Sequence, residues 1–435
     1  MTGNAPAAAQ RVIRTYNGFK LFTGLLWWLP IFYVYQRDSG LSDAQIFNIQ
    51  SIYYLAFCLL EIPTGALADR FDYRRFLQAG AVVLTVANLV PVTWTSYGGF
   101  LTHFLLIALG NSLVSGAGSA YLYEYLQRSD SVAVYQQAEG SGRAYTLTGR
   151  IVCLPAAGLL MQWNAPSPYW LSAACSAAAV LLALWLPALP PARGEQREAT
   201  GQRQSLRDQL AAGRVLWRSP VLALLMAQGV AVFTLVRIGQ ANLFQPILSV
   251  KHLPLAGFGV MMAVTTLFEL AGAARSTWLR RFGDVRVVFV LTAVMAAALA
   301  LLVPAGLTGT VLCLCVFSLA SGLIFPIQRQ LINRAIPDSR HRATLLSLES
   351  LIDRSVCALV VLALGGYLSR GAMNLFLIHL AIGTIVLMAA LAVLVHLTHR
   401  RQRTAAARRV TAAQRTAADQ RTIADQRTAV KENVA

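Results

Sequence analysis

Runs of about 20 to 30 apolar residues, separated by short polar stretches, recur from near residue 16 to near residue 397. A helix crossing a bilayer needs about 20 such residues. Twelve segments meet that length: 16–36, 44–68, 76–96, 99–127, 142–162, 168–187, 220–248, 255–278, 287–305, 310–333, 343–368 and 373–397. The pattern therefore predicts an all-α membrane protein of twelve transmembrane helices. One long polar stretch, 188–219, interrupts the series. Pro187, Pro190 and Pro191 end the segment before it, because proline cannot continue a helix. A short amphipathic helix is expected near 204–217. The chain then divides into a cytoplasmic N-terminus (1–15), a six-helix bundle (16–187), a cytoplasmic linker (188–219), a second six-helix bundle (220–397) and a tail (398–435).

The two bundles read as repeats. Ser115-Gly116 in the fourth segment is followed twelve residues on by Arg128, and Ser321-Gly322 in the tenth by Arg334. Arg143-Ala144 opens the fifth segment, and Arg342-Ala343 opens the eleventh. Arg70-Phe71-Asp72-Tyr73-Arg74 follows the second, and Arg281-Phe282-Gly283-Asp284-Val285-Arg286 follows the eighth. Three matches in one order, at equivalent places, indicate a duplicated unit with pseudo-symmetric halves. Repeats of this parallel kind place a substrate site near the midplane, between them.

Composition narrows the class. The chain of 435 residues is 56% hydrophobic and 13% charged, with mean hydropathy +0.54. Soluble domains carry roughly 25% charged residues, so a soluble enzyme, a disulfide scaffold and general disorder are excluded. The net charge of +18 would suit a nucleic-acid binder, but its placement argues otherwise. Of the 37 Lys and Arg, 28 fall in the termini and loops on one side, and only Arg37, Lys251 and Arg370 fall opposite. This asymmetry puts both termini in the cytoplasm and the basic loops against anionic lipid. No reading motif for nucleic acid accompanies it. The first segment includes Trp27 and Trp28 and has no small-residue cleavage site, so it is not expected to be removed. The six cysteines all lie in apolar segments and read as packing residues, not metal ligands. The tail repeats a six-residue unit over 412–429, a spacing that holds no single helical stripe.

Residues 61–75 carry the most specific motif. Gly65, Leu67, Asp69, Arg70 and Arg74 match the pattern G-x-L-A-D-R-x-G-R-K, with Asp72 in place of the second glycine and Tyr73 after it. The segment resembles the signature loop of the major facilitator superfamily. That resemblance implies a loop that latches the two halves on the cytoplasmic side, with Arg70 pairing to Glu124. Plain topology signalling is the alternative for Arg70, Arg74 and Arg75. The string LEIPTGALADR, then Tyr123-Glu124-Tyr125-Leu126, then Asn333-Arg334 with Pro337 and Arg342-Ala343-Thr344, resembles a bacterial branch usually assigned to efflux. Two features depart from drug–proton antiporters. Ser112 stands where their fourth-span arginine would be. Around Pro155 only Gly158 survives of a glycine-rich motif, with Arg150 and Leu154 at two of its glycine positions.

Ionisable groups inside a membrane are costly and usually face a cavity or a partner. Glu61 and Glu269 lie at similar depth in the second and eighth segments, and each is a proton carrier or a structural hydrogen-bonding group. Arg237 lies near the middle of the seventh segment with Gln240 close by. It would hold an anionic group of the substrate or neutralise Glu269. Asp353 and Arg354 lie near mid-depth in the eleventh, with Glu349 one turn before. A charge relay with Arg150 or Arg237, with Asp353 coupling protons and Arg354 binding substrate, or helix packing with satisfied charges, fits them. Trp27 with its aromatic neighbours, and Tyr54, would form either an interfacial belt or a wall for the substrate. Arg329 is a gate or a snorkelling cation, and His103 reads as structural.

No nucleotide loop of the form GxxxxGKS/T occurs, so the proton gradient, with no bound cofactor, is the expected driving force. No nucleophile–base pair is visible, and an enzyme is not expected. The leading expectation is proton-coupled export of a small amphipathic or anionic molecule, such as a drug or a secreted metabolite of the siderophore type. The export part rests on the resemblance, which also implies a bacterial inner membrane. The chain is expected to act as a monomer. Proton-coupled uptake, and a sensor that keeps this architecture and moves nothing, are the alternatives.

Overall fold

The computed structural model describes residues 6–68, 71–189, 219–279, 284–336 and 342–398. The amphipathic helix expected near 204–217, the repeating tail, Asp69 and Arg70 lie outside the described residues. Within them the regular elements are helical. The first half contains α1 (Ala7–Gly24), α2 (Phe32–Asp38), α3 (Asp43–Ala68), α4 (Tyr73–Thr93), α5 (Tyr97–Arg128), α6 (Tyr135–Trp163) and α7 (Ser167–Trp185). The second contains α8 (Pro220–Arg237), α9 (Phe244–Val250), α10 (Leu255–Leu279), α11 (Asp284–Leu301), α12 (Leu307–Ala335), α13 (Arg342–Leu368) and α14 (Met373–Thr398). Eleven helices among the described residues are long and apolar enough to cross a membrane. The end where α1 begins and α3 finishes carries the arginine-rich loops and is here the basic end. The other is the outer end.

Two crossings differ from the unbroken spans expected. The 16–36 segment is not one helix: α1 starts earlier, at Ala7, and stops at Gly24, and irregular turns lead to α2. Pro30 explains part of the break, because it has no N–H and disfavours helix in the residue before it. Backbone groups freed within a membrane must find partners. Here Ser172 Oγ accepts from the Trp27 N–H at 3.1 Å, Gln245 Nε2 donates to the Leu29 carbonyl at 2.8 Å, and Gln245 Oε1 accepts from the Tyr33 N–H at 3.0 Å. The seventh crossing passes from α8 to α9 through a π turn, Ile238–Leu243. Such turns widen the helix by a residue and re-aim the side chains on it.

Within the first half, α1 packs on α6 and α7, α4 on α5 and α7, and α3 on α5. Within the second, α12 gathers α8, α10 and α11. The halves meet along α3 with α13 and along α6 with α10. The duplication inferred from sequence equates α3 with α10 and α6 with α13, so the pseudo-two-fold exchanges these two joints. At the outer end both joints are built on glycine. A Cβ at Gly365 of α13 would lie 2.9 Å from Phe47 Cβ and 3.3 Å from Ala44 Cα of α3. A Cβ at Gly158 of α6 would lie 2.9 Å from Ala256 Cα of α10, and one at Gly259 of α10 would run into the Leu154 carbonyl. Below the α6–α10 contact, Cys153, Leu154 and Ala263 form a small apolar cluster with Leu25, Trp27 and Leu29. At Gly65, toward the basic end, no neighbouring element among the described residues comes within 4 Å of an added Cβ.

Candidate functional site

Charged side chains from α3, α6, α8, α10, α12 and α13 converge between the two joints. In α8, Arg237 Nη2 donates to Asp353 Oδ2 of α13 at 2.7 Å. Thr234, one turn earlier, donates its hydroxyl to Asp353 Oδ1 at 3.0 Å. Asp353 is buried, at 3% side-chain exposure, while Arg237 keeps 32% and so borders an open cleft. The expected alternative in which Arg237 neutralises Glu269 is not what the structure shows; its partner is Asp353. Four residues earlier on α13, Glu349 is buried and accepts from Arg329 Nη1 of α12 at 2.7 Å. Gly229 of α8 leaves room for that carboxylate, since a Cβ there would collide with Glu349 Oε1. Arg329 lies over the rings of Phe233 and Phe325, 5.3 and 6.0 Å from their centres.

Asp353 and Arg354 point about 100° apart, as consecutive helical residues do, and serve different neighbours. Arg354 faces the first half. Its guanidinium lies 3.8 Å from the centre of the Phe57 ring, and its Nε is 4.0 Å from Glu61 Oε2. The alignment of the two loops places Glu269 of α10 three residues from the position equivalent to Glu61 of α3, on nearly the same helix face. Glu269 accepts from Gln240 Nε2 at 3.1 Å, and the same amide donates to Ser321 Oγ at 3.0 Å. Gly322 and Gly272 bring α10 and α12 backbone to backbone beside it, because a Cβ at Gly322 would overlap the Glu269 carbonyl. The π turn carries Gln240 and Asn242, and Asn242 Nδ2 donates to the Tyr54 hydroxyl at 3.0 Å. Tyr54 also lies 5.9 Å from the Arg237 guanidinium, ring centre to carbon. Tyr54 thus reaches from the first half into the polar centre of the second.

Other expected residues lie elsewhere. Trp27 is in the irregular turn after α1, with its Nε1 3.5 Å from Cys175 Sγ. Its neighbour Trp28 is buried, stacked on Tyr169 and edge-on to His103. His103 Nδ1 is 2.6 Å from the Ala87 carbonyl, a contact within the bundle. Glu124 pairs with Arg128 one turn along α5; Arg70, its expected partner, is outside the described residues. Asp72 caps α4 by accepting from the Arg74 N–H at 3.0 Å, and Arg74 Nη2 reaches the Leu184 carbonyl at 3.1 Å. Sequence reasoning passed over Thr234 and Ser321, which complete the shells of Asp353 and Glu269. It noted Glu349 and Arg329 without assigning them to the site. The spacing of Glu349 and Asp353, four residues apart, was the available signal, since it sets both on one helix face.

The Major Facilitator Superfamily profile matches residues 19–351. No curated protein matches the chain in sequence. Among solved structures, that of the nucleoside transporter NupG is similar with a TM-score of 0.75 at 14% identity, covering 89% of this chain and 99% of that one. A POT family transporter in complex with 5-aminolevulinic acid is similar with a TM-score of 0.69 at 13% identity, covering 89% and 96%. Identities this low speak for the fold alone. The family profile spans most of the chain, and the helices, joints and interior charges agree with it: the chain belongs to the Major Facilitator Superfamily and is a multi-pass secondary transporter.

Proposed function

We propose that this transporter couples protons to the movement of a small amphipathic or anionic molecule. The Arg237–Asp353 pair carries the reading. Asp353 is buried, and its counter-charge borders the cleft. A substrate that draws Arg237 away leaves a carboxylate in a low-dielectric setting. A lone buried charge is costly, and a carboxylate so placed takes up a proton instead. Proton and anion then load together, which under an inward proton gradient drives uptake. Export, the direction suggested by the resemblance of the loop motif, draws support from Glu269. That carboxylate is held by neutral Gln240, with no cation in bonding distance among the described residues. A proton there would exchange with a cationic group of the substrate, and the two would travel in opposite directions. The basic loops support an orientation with both termini in the cytoplasm of a bacterial inner membrane, facing anionic lipid. In the same reading the chain works as a monomer divided at the linker 188–219.

The deciding experiment has two stages. Small molecules inside and outside cells with and without the gene identify the compound whose distribution changes. Purified protein in vesicles enclosing a pH dye then reports proton flow when that compound is added outside. Acidification of the lumen is expected for co-loading. Alkalinisation would replace uptake with exchange, and an unresponsive dye with a moving compound would remove proton coupling. Asp353→Asn is expected to abolish the proton signal while retaining exchange of labelled for unlabelled compound.

A further inference from the structure

Most of the interior arginines of this transporter have a carboxylate to answer them. Arg237 has Asp353, Arg329 has Glu349, and Arg354 lies beside Glu61. Arg150 has none. It lies near the middle of α6, and no hydrogen bond or ion pair from its side chain occurs among the described residues. Its Nε is buried without a partner. Glu269 faces it across the α6–α10 joint within electrostatic range but beyond the 4.0 Å of an ion pair; Gln240, whose amide also donates to Ser321, holds that carboxylate on the second half. More positive charge gathers on the same wall. Lys20 of α1 and Arg143 of α6 lie within range of Arg150 and of each other, with Glu139 as the acidic group nearby. Glu139 accepts from Ser119 at 2.8 Å. One turn toward the outer end from Arg150 come Cys153 and Leu154 of the apolar cluster that closes this joint. Arg150 therefore lies on the basic-end side of the apolar cluster at the α6–α10 joint.

An uncompensated guanidinium at this depth destabilises the protein unless something brings it an anion. A planar guanidinium takes a carboxylate or phosphate by two parallel hydrogen bonds. We infer that Arg150, flanked by Lys20 and Arg143, is the receptor for an oxyanion, carboxylate or phosphate, of the transported molecule. The inference rests on the proposal that the substrate carries an anionic group and assigns where that group docks. Arg237 must release Asp353 before it can take an anion; Arg150 has nothing to release. Glu269 opposite repels an incoming anion while it carries its own charge, so the anion docks on the Arg150 side of the joint.

The test uses the full-length protein in detergent and thermal unfolding at constant ionic strength. Benzoate and inorganic phosphate are the anionic probes, and benzylamine is a cation with the same apolar body as benzoate. Benzoate or phosphate is expected to raise the unfolding temperature of the parent protein, and benzylamine to leave it unchanged. Arg150→Gln should weaken the anion response about 30-fold or more, Arg150→Lys should restore part of it, and Arg237→Gln should change it less than about threefold. Without ligand, Arg150→Gln should unfold at a higher temperature than the parent, because it removes a half-buried charge with no carboxylate partner among the described residues. A residue kept for packing would do the reverse, and that result overturns the assignment. An anion response that survives Arg150→Gln and vanishes in Arg237→Gln overturns the assignment too, while the anionic-substrate reading stands. Stabilisation by benzylamine alone overturns that reading itself, and no stabilisation by any probe overturns the receptor.

Discussion

Glu349 is the most enclosed carboxylate of the site, with one oxygen on Arg329 and the other touching no donor. Removing the cation from such a pair leaves a buried charge alone, at a cost of about 3–5 kcal/mol. Arg329→Met is therefore expected to lower the unfolding temperature sharply. Arg329→Met with Glu349→Leu should recover most of the loss, because the double change leaves no orphaned charge. Two equal losses would show that the pair does not act as a unit. At this scale the sequence disclosed which residues are expensive: Glu61, Arg237, Glu269, Asp353 and Arg354 stand out in apolar runs. It did not disclose who pairs with whom. Pairing between helices depends on rotation about each axis, and a hydrophobic run of this length leaves that rotation undetermined. Thr234 and Ser321 gave no signal, since small hydroxyl residues are common packing groups in membrane helices.

Eleven of the twelve expected crossings correspond to helices long and apolar enough to span, legible because bilayer thickness fixes the length of an apolar run. What length cannot report is continuity. The break between α1 and α2 had a visible cause in Pro30, but its repair by Gln245 comes from 216 residues away, as the Leu29–Gln245 bond shows. The π turn is marked only by Gln240, Asn242 and Gln245 in an otherwise apolar stretch. The pairing of α3 with α13 and α6 with α10 supplies an element-scale prediction. Leu154→Cys with Ala263→Cys, which face each other in the apolar cluster of the α6–α10 joint, in a chain whose six native cysteines are changed to alanine, should form a disulfide under mild oxidation. The cross-link should stop transport, and reductant should restore it. Full transport by the cross-linked protein would mean that this joint never opens.

For the whole molecule, the distribution of Lys and Arg makes a claim about orientation. A fluorescent protein fused after Ala435 is expected to mature and glow, as it does only on the cytoplasmic side. A dark fusion beside a glowing one on the opposite loop, near Lys251, would invert the assignment. Deleting 399–435 should leave transport of the identified compound unchanged. Loss of the cellular phenotype with transport intact would point to signalling through the tail. The overall architecture was the most legible part of this protein. Duplication, bilayer length and charge asymmetry each constrain it independently, and all three are visible without knowing a single side-chain contact.

The glycine-lined outer joints set the balance between the two faces of the transporter. A seam of backbone on backbone parts without unthreading interlocked side chains, so a small change in its fit acts directly on how readily it opens. Where two populations are nearly equal, about 1.4 kcal/mol changes their ratio tenfold. One methyl group at Gly158 or Gly365 is enough to supply that. Such a change would act on the joint and leave the charges of the site in place, shifting the molecule toward the face on which that joint is open.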